Sequence, residues 1–169
     1  MNESAELVVL SLGSNVGDSL STLKKAIRDI SFLLDGMRVS SLYLTTPQDV
    51  VRQPDFCNLV VTGSTALSPV ELLGETQAIE TRYGRLREED AVRGPRTLDI
   101  DIVLYGGKTV NEPDLVIPHE RMSSRQFVLV PLLELLPDCA DPVSGRPFRE
   151  ILSGLEDQGV RKVGNLYGY

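Results

Sequence analysis

Two aspartates alternate with apolar residues in Leu98-Asp99-Ile100-Asp101-Ile102. Successive side chains of a strand point to opposite faces. Asp99 and Asp101 therefore share one face, while Leu98, Ile100, Ile102 and Leu104 turn toward a core. Two carboxylates one pleat apart suit Mg²⁺, which takes one or two carboxylates and completes its shell with phosphate oxygens and water. The same pattern also describes a merely solvated strand face. Gly94-Pro95-Arg96 stands just before it, at the end of a loop carrying Arg82, Arg85, Arg87, Arg93 and Arg96. Carboxylates for a metal beside arginines for phosphate are the parts that phosphoryl-type transfer needs, because its catalysis is mostly positioning and charge neutralisation. Residues 84–96 are predicted to act as a lid between a helix and this strand. The segment Gly13-Ser14-Asn15-Val16-Gly17-Asp18 lacks the Gly-Lys-Ser/Thr ending of a phosphate-binding P-loop and reads better as a capped strand–helix turn.

The one histidine, His119, follows Pro118 and heads a segment with Arg121 and Arg125. It is either structural or a hydrogen-bond donor to a phosphate or nucleotide. Phe56 and Phe127 suit a core, and equally a flat heterocycle held between two rings. Asn58, two residues after Phe56, shares its strand face and carries an amide that can read a polar edge.

The positioning elements follow from periodicity. Residues 6–12 read as a strand ended by Gly13. Leu20, Leu23, Ile27, Ile30 and Leu34 mark an amphipathic helix over 19–35, and 37–44 a second strand. A loop spans 45–55, and a third strand 56–64. Ser68, Pro69 and Glu71 form a capping box that opens a second helix. Residues 98–105 give a fourth strand, with a short strand over 108–110 as a hairpin partner. Residues 118–136 are irregular or helical, 137–147 are rich in turns, and 148–155 make a last helical turn. Strand–helix–strand–strand–helix–strand is the ferredoxin-like arrangement. It predicts an α+β domain with a mainly antiparallel sheet, both helices on one face and the other face free. Residues 1–169 form one domain, with 155–169 a weakly patterned tail.

The 169 residues suffice for one core without staples. A net charge of −7 argues against nucleic acid or an anionic membrane as the partner, and a local arginine cluster suits a small anion. Cys57 and Cys139 have no zinc spacing and read as buried apolar groups. The N-terminus lacks the pattern of a signal peptide, and no run reaches the ~20 apolar residues of a spanning helix. A cytoplasmic monomer is expected.

Five segments, SLGSNVGDSLSTL, QPDFCN, ETQAIETRYGRLR, GPRTLDIDIVLYG and IPHERMSSRQFVLVPLLEL, run in one order over about residues 7–137. Together they resemble the hydroxymethyldihydropterin pyrophosphokinase family. The resemblance implies transfer of pyrophosphate from ATP to 6-hydroxymethyl-7,8-dihydropterin in folate synthesis, with release of AMP and two Mg²⁺. It implies that Asp99 and Asp101 hold the metal. It places Gln77, Glu80, Arg85, Arg87, Arg96, His119 and Arg125 around ATP, with Arg85 and Arg96 joining the two aspartates in catalysis. It places Thr45, Pro47, Phe56, Asn58 and Phe127 around the pterin. Two other readings are a non-catalytic domain that binds the same ligands and an RNA-binding module of this topology. Intact Asp99, Asp101 and Arg96 oppose the first. The acidic charge and the carboxylates on the free sheet face oppose the second.

Overall fold

The computed structural model describes residues 4–47, 53–84 and 97–168. Strand β1 (Glu6–Ser14) leads to helix α1 (Ser19–Ile30), then to β2 (Asp35–Val39), β3 (Leu42–Thr45) and β4 (Phe56–Thr65). Helix α2 (Pro69–Arg82) and β5 (Asp99–Tyr105) complete the core unit. A hairpin of β6 (Val110–Glu112) and β7 (Leu115–Ile117) follows, then α3 (Gln126–Leu135), α4 (Phe148–Ser153) and β8 (Arg161–Gly164). The main sheet runs β5-β1-β4-β3-β8, with β2 also paired to β4, and all its pairings are antiparallel. The ferredoxin-like α+β frame expected from the sequence is therefore present.

Both core helices start where their caps place them. The Asp18 carboxylate accepts from the Ser21 N–H at 3.1 Å. Ser68 and Glu71 form the reciprocal box, at 2.8 and 3.3 Å. Losing such a cap costs about 1 kcal/mol. Helix α1 ends at Ile30 rather than residue 35, because the Leu33 and Leu34 N–H groups fold back onto the Ile30 carbonyl. Leu34 stays on the apolar face through that turn and is buried, so the helical spacing outlasts the helix.

The expected strand over 37–44 is two strands. Buried Ser40 interrupts it: its hydroxyl accepts from the Val60 N–H at 2.9 Å, standing in for a ladder carbonyl. The hairpin lies at 110–117 rather than near 108–110. The tail is an element of the sheet, since β8 pairs with β3 and Leu166 is fully buried. Among the described residues, no helix is long and apolar enough to cross a membrane. Cys57 and Cys139 are half-buried free thiols, and burial pushes both above their ordinary pKa.

Two cores flank the sheet. Val8, Leu10, Leu12, Leu59, Val61, Ile100 and Ile102 meet α1 and α2. Val9, Val60, Val103 and Leu104 meet α3 and α4 on the other side. That second face is thus not free along its whole length. Leu104 also leaves the side its alternation predicts. The β1–β5 register shifts at Val9/Leu10, so Ile102 pairs with Leu10 but Leu104 with Val9. A bulge of this kind carries two successive residues to one face.

Glu134 ties α3 to the β2–β3 corner. Its carboxylate accepts from the Ser41 N–H and hydroxyl, both at 2.8 Å, and from the Tyr43 hydroxyl. Burial disfavours the charged form, but the bonds from Tyr43 and Ser41 outweigh it and lower the Glu134 pKa. Burial and this carboxylate push Tyr43 well up. A carboxylate with a lowered native pKa adds stability that is present above its unfolded value, near 4.3, and is lost as pH falls through the native value. Glu134→Gln should therefore melt lower at neutral pH and show a shallower loss of Tm below about pH 4. Thermal melts across pH 2–8 check this; an unchanged acid slope contradicts it.

Candidate active site

The half of the second face that α3 and α4 leave uncovered carries the polar residues. Asn58 of β4 pairs with Gly13 of β1, and Gly13 pairs with Asp99 of β5. One row across three strands thus holds Asn58, Gly13 and Asp99. Ser11 pairs with Asp101 one pleat along, and Thr45 with Phe56 on the other side. Strands lie about 4.8 Å apart, so the Asn58 and Asp99 backbones stand about 10 Å from each other.

At one end of the row, buried Asn58 donates from Nδ2 to the Thr45 hydroxyl at 2.8 Å. This bond orients the amide. Its Oδ1 lies over Gly13, where a Cβ would come within 3.1 Å, and the Phe56 ring would be 3.9 Å from the same carbon. Glycine is needed there for close approach. The sequence reading took Gly13 as a strand terminator, but β1 runs on to Ser14. Asn15 then donates to Gln53 Oε1 at 2.9 Å and to the Pro54 carbonyl at 3.1 Å, fixing the approach to Phe56. Phe56 and Pro47 are half-buried. Phe127, at the start of α3, is half-buried against the second core.

At the other end, Asp99 and Asp101 are half-buried. His119 is docked on β5 by its N–H, which donates to the Val103 carbonyl at 3.0 Å. Its Nδ1 accepts from the Arg121 N–H at 3.2 Å. That places the ring proton of the neutral imidazole on Nε2, which faces Asp101 Oδ2 at 3.8 Å. Burial, then the charge of Arg125, lower the His119 pKa, and Asp99 and Glu120 partly offset them. Arg125 lies over the Phe127 ring, 5.4 Å from its centre, and so joins the two ends.

Glu80 departs from a surface role. It is 1% exposed, and its carboxylate accepts from the Ile100 N–H at 3.2 Å. Strand β5 is an edge strand, and Glu80 bonds its backbone between the two aspartates. Its effect on the site runs through β5. Gln77, one turn earlier on α2, is half-buried. Arg85, Arg87 and Arg96, and the lid expected over 84–96, lie outside the described residues apart from Gly84.

Among the described residues no cluster of three or more His, Cys, Asp or Glu is placed to hold a metal ion. The two aspartates nevertheless fit a hard divalent cation that takes its remaining ligands from phosphate and water, because both are carboxylates on one accessible face.

Fold and site together define a ferredoxin-like α+β domain with an open, carboxylate-bearing sheet face. The chain belongs to the 7,8-dihydro-6-hydroxymethylpterin-pyrophosphokinase (HPPK) family, whose model matches residues 9–137. It is 38% identical over 158 residues to the 2-amino-4-hydroxy-6-hydroxymethyldihydropteridine pyrophosphokinase of Pseudomonas aeruginosa, covering 92% of this chain and 96% of that protein. It is also 38% identical over 159 residues to the folic acid synthesis protein fol1 of Pneumocystis carinii, covering 94% of this chain and 21% of that one. The chain thus spans about a fifth of the fungal relative. The fold resembles the crystal structure of wild-type Plasmodium falciparum HPPK-DHPS, with a TM-score of 0.70 at 16% identity over 89% of this chain and 44% of that one.

Proposed function

We propose that this chain transfers the pyrophosphoryl group of ATP to the hydroxymethyl group of 6-hydroxymethyl-7,8-dihydropterin, a step of folate synthesis that releases AMP. The observation that carries this reading is the row of Asn58, Gly13 and Asp99. It sets an amide that reads a heterocycle's edge about 10 Å from a carboxylate suited to a metal. That span accommodates a pterin ring, its hydroxymethyl arm and the phosphate it meets.

In this reading Thr45, Pro47, Phe56, Asn58 and Phe127 hold the pterin, with its polar edge on Asn58 and its ring beside the phenyl groups. Asp99 and Asp101 hold Mg²⁺, two ions being expected with ATP. Bound there, Mg²⁺ would neutralise charge on the phosphate oxygens. The pterin hydroxyl oxygen forms a bond to the β-phosphorus. The bond from that phosphorus to the α–β bridging oxygen breaks, AMP leaves with the bridging oxygen, and the hydroxyl proton passes to solvent. His119, with its proton on Nε2, can donate to a phosphate oxygen, and Arg125 adds positive charge beside it. Gln77 lies toward the nucleotide, and Glu80 holds β5 in place. The roles of Arg85, Arg87 and Arg96 on the phosphates rest on sequence alone.

AMP release from ATP tests the reading. It should require both the pterin alcohol and Mg²⁺. AMP formed equally without the pterin, or none with it, would reject the proposal.

A further inference from the structure

We infer that the C-terminal segment Gln158–Arg161 is a strap that positions the two phenyl rings of the heterocycle pocket, with Gln158 its principal positioning residue. The inference rests on the pterin assignment above and adds a specificity-determining element to it.

The first turn of α3 is poorly secured by its own sequence. The N-cap residue, Arg125, supplies no side-chain bond to the helix, although the first N–H groups of any helix need partners from outside it. Pro131 sits inside the same helix. It has no N–H, so the bond it would make to the carbonyl four residues back, that of Phe127, is missing. Gln158 supplies what the helix lacks. Its Oε1 accepts from the Gln126 N–H at 2.9 Å, and its own N–H donates to Gln126 Oε1 at 2.9 Å. Its Nε2 donates to the Ser124 carbonyl at 2.8 Å. These three bonds bracket Arg125 and end one residue before Phe127.

Three residues further on, the tail reaches the opposite ring. Arg161 Nη2 pairs with Asp55 Oδ2 at 3.0 Å, one residue before Phe56. Arg161 is also the register partner of Leu44, whose neighbour Thr45 orients Asn58. The strap thus touches the residue before each ring and the strand beside the amide. A segment that only stabilised the domain would need no such distribution.

Pterin and ATP affinities of Gln158→Ala, measured by titration calorimetry with 6-hydroxymethyl-7,8-dihydropterin and with Mg²⁺–ATP, test this. The expected result is roughly tenfold weaker pterin binding, the scale of about one lost hydrogen bond, with ATP binding within about twofold. In a Phe127→Ala background the same substitution should cost almost nothing further for pterin, because it acts through that ring. Arg161→Ala breaks an exposed pair, so folding is not at stake, and it should give a smaller loss that is again selective for pterin. Wild-type pterin affinity in both tail variants, equal losses for both ligands, or full additivity with Phe127→Ala would overturn the strap. If Phe127→Ala loses pterin affinity while the tail variants do not, only the strap fails. If Phe127→Ala itself binds pterin normally, the pocket assignment falls and the strap with it.

Discussion

Asp99→Ala and Asp101→Ala should each lose most of the turnover, roughly a hundredfold or more, while the fold remains intact. Removing one element of a preorganised charge-stabilising site typically costs 10²–10³ in rate. Neither side chain belongs to the two cores; both lie on the accessible face and leave no cavity when truncated. Each substitution also relieves repulsion between two like charges one pleat apart. Without Mg²⁺, the variants should therefore melt at or above the wild-type temperature. With Mg²⁺–ATP they should gain less than wild type, since ligand stabilisation follows affinity. Asp101→Ala carries one further effect, because His119 Nε2 loses the carboxylate 3.8 Å away. Steady-state rates and melts with and without Mg²⁺–ATP measure all of this. Turnover near wild type in either variant would end the metal assignment and the mechanism built on it.

Phe127→Ala should weaken pterin binding more than ATP binding. Stacking of a flat base on an aromatic ring is worth roughly 1–3 kcal/mol by alanine substitution, about 5- to 150-fold in affinity. The structure refines that expectation in two ways. The ring also packs against the second core, so the variant should melt below wild type. Arg125 loses the ring 5.4 Å beneath it, so ATP affinity should fall slightly as well. Calorimetry with each ligand separately decides. Equal losses for both would make Phe127 a core residue rather than a wall of the pocket.

The parts of the site that could be read from sequence share one property: their geometry is local. Asp99 and Asp101 reach one face by the alternation of a single strand, as do Phe56 and Asn58. The capping boxes, set by residues three apart, placed both core helices. The parts that could not be read depend on distant partners. Leu104 changes faces because of a register shift against Val9. The strand break at Ser40 comes from a hydroxyl bond to Val60, twenty residues on. Glu80 looks like any polar helix residue until β5 is laid beside it with an edge N–H to satisfy. Gly13 reads as a turn, and only its pairing with Asn58 shows that it clears room above a strand. The tail carries almost no periodicity, because β8 is a four-residue edge strand and Gln158 acts through its side chain on a helix 32 residues away.

The fate of the β-phosphorus tests the central claim most directly. With ATP labelled at that position and the pterin alcohol and Mg²⁺ supplied, the account predicts that the label moves onto the pterin together with the γ-phosphorus, in step with release of AMP. Label retained in ADP, or appearing as free pyrophosphate while the pterin stays unmodified, would contradict it.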